Sequence, residues 1–235
     1  MLTPPTLQKL QLEQAKLDQF IVQKKNLTDT DSAQSFIRTK VALLVEIGEL
    51  ANELGTFKHW KKATKINLEK AQEELIDCFH FYLSWANSFG IDFVDYKFRK
   101  LVPEPDYNEL LLSLFLETGS FSMSVPWSKT KKKLLAVQEK SWEDSISKYI
   151  SEGKIKEGEI EEWRAAKEKG KKQIEKTSGS FLHFLELEKN KTRFYRWLMI
   201  FEELSLKLGL KSETDIEVAY LTKNQKNWER QKQNY

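Results

Sequence analysis

Val41-Ala42-Leu43-Leu44-Val45-Glu46-Ile47-Gly48-Glu49-Leu50-Ala51, answered downstream by Glu74-Leu75-Ile76-Asp77-Cys78-Phe79-His80-Phe81-Tyr82-Leu83, is the sequence on which the reading of this chain turns. Each stretch sets two acidic residues three apart inside an apolar, helix-like run. On a helix, such residues lie one turn apart on the same face. The first run is apolar nearly all round, which predicts a largely buried helix, and the second reads the same way. Packed together, the two helices gather Glu46, Glu49, Glu74 and Asp77. Carboxylates that close repel one another, and an unpaired buried one is very costly. A hard divalent cation relieves both problems, and Mg²⁺ suits an all-oxygen cage. An isolated Glu-x-x-Glu is ordinarily a solvated helix face; here the apolar setting argues for metal. Gly48, at a cost of about 1 kcal/mol in a helix, permits close approach of a neighbouring helix or a ligand. Four carboxylates can hold two or more Mg²⁺ ions that also clamp substrate phosphates and lower the pKa of a bound water. One of the four is then free to orient or deprotonate that water.

The composition fits this picture. In 235 residues there are only 9 Gly and 5 Pro, which favours long helices over a turn-rich β fold. Seven Trp, 7 Tyr and 14 Phe supply a substantial core. Lys+Arg 38 against Asp+Glu 35 gives a net charge of +3, without the basic skew of a dedicated nucleic-acid binder. The single Cys78 excludes an intrachain disulfide and fits a reducing cytoplasm. No signal peptide is evident after Met1. No run of about 18 apolar residues suggests a membrane span.

Along the chain, helices are predicted over 6–23, 32–54, 67–89, 92–101, 107–123, 192–208 and 213–232. Pro4 and Pro5 start the first, Asp29 to Asp31 offer caps for the second, and Ser212 caps the last. Gly55, Gly90 and Gly209 mark helix ends. The charge-rich stretch 129–176 reads as two helices broken near Gly153 to Gly158, with a short helix over 181–187. No strand or internal repeat is evident. The expected fold is all-α: a single-domain helical bundle over 1–235, with 129–180 as a charged helical insertion.

The acidic quartet resembles the signature of the all-α nucleotide pyrophosphohydrolases, which include the dimeric dUTPases, MazG-like enzymes and phosphoribosyl-ATP pyrophosphohydrolases. Two further segments narrow the resemblance. Phe57-Lys58-His59-Trp60-Lys61 looks like the loop of the dimeric dUTPases. The tail from Lys223-Asn224 through Asn227, Arg230-Gln231 and Asn234-Tyr235 is similar to that family's closing motif, Lys-Asn-x-x-Asn-x-x-Arg-Gln-x-x-Gly-Tyr. Asn234 stands where the motif has Gly, and Asn tolerates positive φ best after Gly. The stretch 129–180 carries no matching motif.

The resemblance implies an active site between antiparallel helices, a homodimer, and Mg²⁺-dependent hydrolysis of dUTP, and of dUDP, by a metal-activated water. It assigns metal to Glu46, Glu49, Glu74 and Asp77, with Glu49 also activating the water. It places Lys223 and Arg230 on phosphates, Asn224 on the deoxyribose hydroxyl, and Asn227 on the same helical face. It aligns Gln14 with the base-reading Gln, with Asp18 a weaker candidate one turn on. Trp60 walls the base pocket or anchors its loop, and Lys61 reaches a phosphate or is a surface lysine. His80 lies near base or sugar or is a core residue. His59 and His183 suggest no zinc site, and Cys78 reads as a small buried hydrophobe. Rival readings are a MazG-like enzyme of broader specificity and a helical protein-interaction module using Lys129 to Lys176. Some phage-encoded members also bind regulatory proteins. Neither nucleic acid nor membrane is an expected partner.

Overall fold

The structure, a computed structural model, describes residues 1–27, 33–61, 65–121 and 191–233. These residues belong to one compact unit that joins Met1–Met123 to Lys189–Tyr235. The helices expected within 129–176 and over 181–187, the limits of the 129–180 insertion, the caps at Asp29 to Asp31, and Asn234 lie outside the described residues.

All regular structure among the described residues is helical: α1 (Pro4–Lys24), α2 (Ala33–Leu54), α3 (Leu68–Phe89), α4 (Tyr107–Ser120), α5 (191–207) and α6 (Glu213–Lys232). The described residues form an all-α bundle. Local chemistry explains the boundaries. Pro4 and Pro5 occupy the first turn of α1, where a missing N–H leaves no bond unmade. The Asn67 side chain accepts the Lys70 N–H at the start of α3. Gly90, at φ 65°, closes α3 by returning its N–H to Ala86 and Asn87. Ser212 and Asp106 each form a reciprocal capping box, with Asp215 and Glu109. The Ser212 cap was expected from sequence; the Asp106 cap was not.

Helix α3 is the hub. Leu75, Ile76, Cys78, Phe79, Tyr82, Leu83 and Trp85 are all buried on it. Phe36 of α2 meets Phe89, ring centroids 5.3 Å apart, while Glu46 lies near Glu74 and Asp77, so α2 and α3 run antiparallel. Helix α5 is antiparallel too: Trp197 stacks on Tyr82 at 4.1 Å and Phe201 on Phe79 at 4.3 Å. Helices α1 and α6 pack on α3 and on each other, and α4 packs on α2.

The segment 92–101, predicted as a short helix, is not helical. It carries the chain from the end of α3 to the start of α4, a span that an extended strap covers with fewer residues than a helix. Its Phe93 and Tyr96 are buried along the way, as is Ile91 just before it. Two buried glutamates of α5 hold it: Glu202 accepts the Tyr96 hydroxyl and the Leu2 N–H, and Glu203 accepts the Leu101 N–H at 2.7 Å.

Helix α2 also departs from expectation. Leu43, Ile47, Leu50 and Leu54 are buried, but Val41 and Val45 are 52% and 51% exposed, and Ile37 is exposed beside them. These three recur every four residues and form one apolar stripe. A Cβ at Gly48 would meet nothing within 4 Å, so nothing in the described chain makes the close approach expected there. Among the described residues no helix is long and apolar enough to cross a membrane.

Candidate active site

The antiparallel pairing of α2 and α3 turns two sequence motifs into one cage. An oxygen from each of Glu46, Glu74 and Asp77 lies within 4.8 Å of the others. Glu49 is outside this trio and exposed at its rim, yet its charge still disfavours ionisation of Glu46 and Glu74. Burial, then repulsion from Asp77, Glu49 and Glu74, pushes the Glu46 carboxyl up to about 7. Burial likewise raises Glu74 and Asp77. Clustered carboxylate oxygens held partly out of water are a donor set fitted to a hard divalent cation.

Helix α6 lays a cationic side over the cage. Lys223 is buried, and its ammonium donates to Asp77 Oδ2 at 2.6 Å and to Glu73 Oε1 at 2.9 Å. Arg230, two turns on, also favours the ionised form of Asp77. Glu73 had escaped notice in the sequence, although it stands four residues before Asp77, one helical turn away on the same face.

A cleft of about 300 Å³ opens beside the cage. Glu46 and Asp77 close one end, Asn227, Arg230 and Gln231 contribute from α6, and Leu17, Ile21 and Phe81 form apolar wall. Gln14, Asp18 and His80 also line it. These polar groups form a relay. The Gln14 amide N–H donates to Asp18 at 2.8 Å, which fixes the amide orientation, because a carboxylate only accepts. Gln14 Oε1 then accepts the Tyr220 hydroxyl at 2.7 Å and His80 Nδ1 at 2.8 Å. His80 therefore carries its proton on Nδ1. Burial, with the nearby Lys223 charge, depresses its pKa to about 3 and keeps the ring neutral. Among the described residues His80 Nε2, Gln231 Oε1 and Asn224 Nδ2 are buried without a hydrogen-bond partner. In a native fold such groups call for a ligand or water.

The structure thus brings Gln14, Asp18, Glu46, Asp77, His80, Asn227 and Arg230 to one cleft, with Glu74 and Lys223 at its cage. Asn224 is buried on α6 beside them. Trp60 and Lys61 are not among the lining residues. Trp60 is 65% exposed and packs edge-on against Phe57 and His59, and Lys61 is exposed on the same loop. Tyr220 and Gln231 were missed in the sequence, though both lie on the α6 face that carries Lys223, Asn224 and Asn227.

An all-α bundle with a carboxylate cage at the end of a polar cleft, beneath a helix bearing lysine and arginine, suits a hydrolase of nucleotide phosphates. A family profile described as dUTPase matches residues 6–155, more than half of the chain. The chain belongs to the dimeric all-α dUTPase family and is a dUTP diphosphatase. No individual curated protein and no solved structure matches it. The matched stretch holds the quartet and the Phe57 to Lys61 loop; the tail from Lys223 lies beyond it.

Proposed function

We propose that the enzyme hydrolyses dUTP to dUMP and pyrophosphate, and dUDP to dUMP, with Mg²⁺ held by Glu46, Glu74 and Asp77 and by Glu49 at the rim. The meeting of the Glu46, Glu74 and Asp77 oxygens within 4.8 Å is the observation that carries this reading. When bound, the metal supplies charge neutralisation for the phosphates and acidifies water. The protein's own groups do the rest. Lys223 and Arg230 hold phosphate oxygens, the arginine through its planar fork. Glu49, exposed at the rim of the cage, takes the proton of the attacking water as the water oxygen bonds to phosphorus and the α–β bridge opens. Asn224 and Asn227 orient the sugar and phosphates.

Uracil selection rests on the relay. With its proton on Nδ1, His80 offers an acceptor at Nε2 to the N3–H of uracil. Cytosine presents a lone pair at the same edge, and two acceptors facing each other in a dry cleft are strongly disfavoured. The second Gln14 amide hydrogen is free for a base carbonyl. Trp60 and Lys61, on an exposed loop that does not line the cleft, are assigned to the substrate by the family resemblance alone.

The exposed face of α2 supports a homodimer. Ile37, Val41 and Val45 form an apolar stripe that no described residue covers, continuous with the open space at Gly48, and a second copy covers it. The free, buried Cys78 fits a reducing, cytoplasmic setting. The 129–180 stretch is read as a charged helical insertion, of which 129–155 fall inside the family match; its deletion, with activity and partner binding measured separately, tests whether it serves a regulatory protein.

The test is hydrolysis of dUTP, dTTP, dCTP and dATP by the purified protein, with Mg²⁺ and with EDTA. Turnover confined to dUTP and requiring Mg²⁺ is expected. Equal turnover of all four would replace this reading with a MazG-like enzyme of broad range. Glu49→Gln and Asp77→Asn should each lower kcat by at least about 100-fold; retained activity would remove them from the site.

A further inference from the structure

We propose that Lys223 is the resident counter-cation of the carboxylate cage, that it gives up Asp77 when a divalent ion enters, and that Glu73 keeps its ammonium at the cleft for phosphate. The inference rests on the metal site proposed above and adds a coupling between metal and nucleotide.

Three carboxylates with oxygens inside 4.8 Å repel one another. Held partly out of water, they repel more strongly than they would in solvent. The folded chain tolerates this because Lys223 Nζ sits 2.6 Å from Asp77 Oδ2, on a side chain only 8% exposed. A divalent ion bound by the same Asp77 cannot share it with an ammonium at that distance without strong repulsion, so one of them leaves. The lysine has somewhere to go. Its second bond, 2.9 Å to Glu73 Oε1, runs to a residue outside the trio and more exposed than its members' buried neighbours, with a side chain 41% exposed. Lys226, 3.7 Å from Glu73, adds positive charge on the same side. Glu73 is therefore a positioning residue. It is the pivot on which Lys223 moves from the cage towards incoming phosphate.

This exchange gives Lys223 opposite effects on two ligands. It competes with metal in the free protein and assists nucleotide once metal is in place. A lysine that merely braces α6 against α3 would weaken both when removed. The measurement uses the full chain and Mn²⁺ as an EPR-visible probe, titrated without nucleotide. Lys223→Met should bind Mn²⁺ about tenfold more tightly than wild type, while its KM for dUTP rises. Glu73→Gln leaves the ammonium to Asp77 alone, and should bind Mn²⁺ more weakly than wild type. Unchanged or weaker Mn²⁺ binding by Lys223→Met overturns the exchange. If that variant does not fold, Glu73→Gln decides: weaker binding supports the exchange, and equal or tighter binding overturns it. Wild-type protein that binds no Mn²⁺ overturns both the metal reading and this one. Wild-type protein that binds Mn²⁺ yet ignores dUTP overturns only the substrate.

Discussion

At the scale of single residues, the site depends on where one proton sits. Asp18 orients the Gln14 amide, and Gln14 sets the tautomer of His80. Burial lowers the His80 pKa from its ordinary value to about 3. The folded state thus favours the neutral ring, and that contribution to stability is complete above the unfolded pKa near 6.5 and is lost as pH falls towards the folded value. Nitrogen-15 NMR of the imidazole should show a neutral ring protonated on Nδ1 from pH 8 down to about pH 5. A ring titrating near 6.5 would remove the fixed acceptor. Gln14 and His80 were each legible in the sequence through the family resemblance. Their bond to each other was not, because it spans 66 residues and exists only once α1 packs on α3. Glu73 was hidden for a different reason. An acidic residue beside an acidic motif looks like ordinary helix surface until the partner lysine, 150 residues away, is in place.

At the scale of elements, the helices were largely readable, since proline, glycine and serine punctuation sits at their ends. The strap over 92–101 was misread because its aromatic residues suit a helix as well as an extended path; the choice is made by the distance to be bridged and by Glu202 and Glu203, both more than 100 residues later. The burial of α2 was misread in an informative way. A helix apolar all round was expected to be enclosed, and the described chain encloses one side of it. Placing charge on the open side tests what covers the other. The double variant Val41→Lys with Val45→Lys should sediment as a monomer where the wild type sediments as a dimer, with the fold intact by circular dichroism, since neither side chain is in the core. A wild-type monomer would leave the stripe without a second copy.

At the scale of the whole molecule, Glu202 ties the chain's first residues, the strap and α5 together. It is fully buried, and burial raises its pKa to about 7, opposed by the Tyr96 hydroxyl, the Leu2 N–H and the terminal amine, with Glu203 adding repulsion. The fold therefore favours the protonated carboxyl. Its contribution is complete below the unfolded carboxylate pKa and is lost as pH rises through about 7. Glu202→Gln mimics the protonated form. From pH 5 to pH 8 its stability relative to wild type should improve by on the order of 3 kcal/mol, read from denaturant titrations at each pH. A constant difference would show that Glu202 holds its proton throughout.

The cage and its ammonium are also separated in time. During synthesis the α2–α3 hairpin, with its acidic oxygens, leaves the ribosome long before α6 does, and Lys223 follows Glu73 by 150 residues. At roughly 5 to 20 residues per second, the hairpin waits many seconds for its own cation. In that interval the clustered carboxylates can be neutralised only by protonation or by a cation from solution, since Lys223 is not yet there.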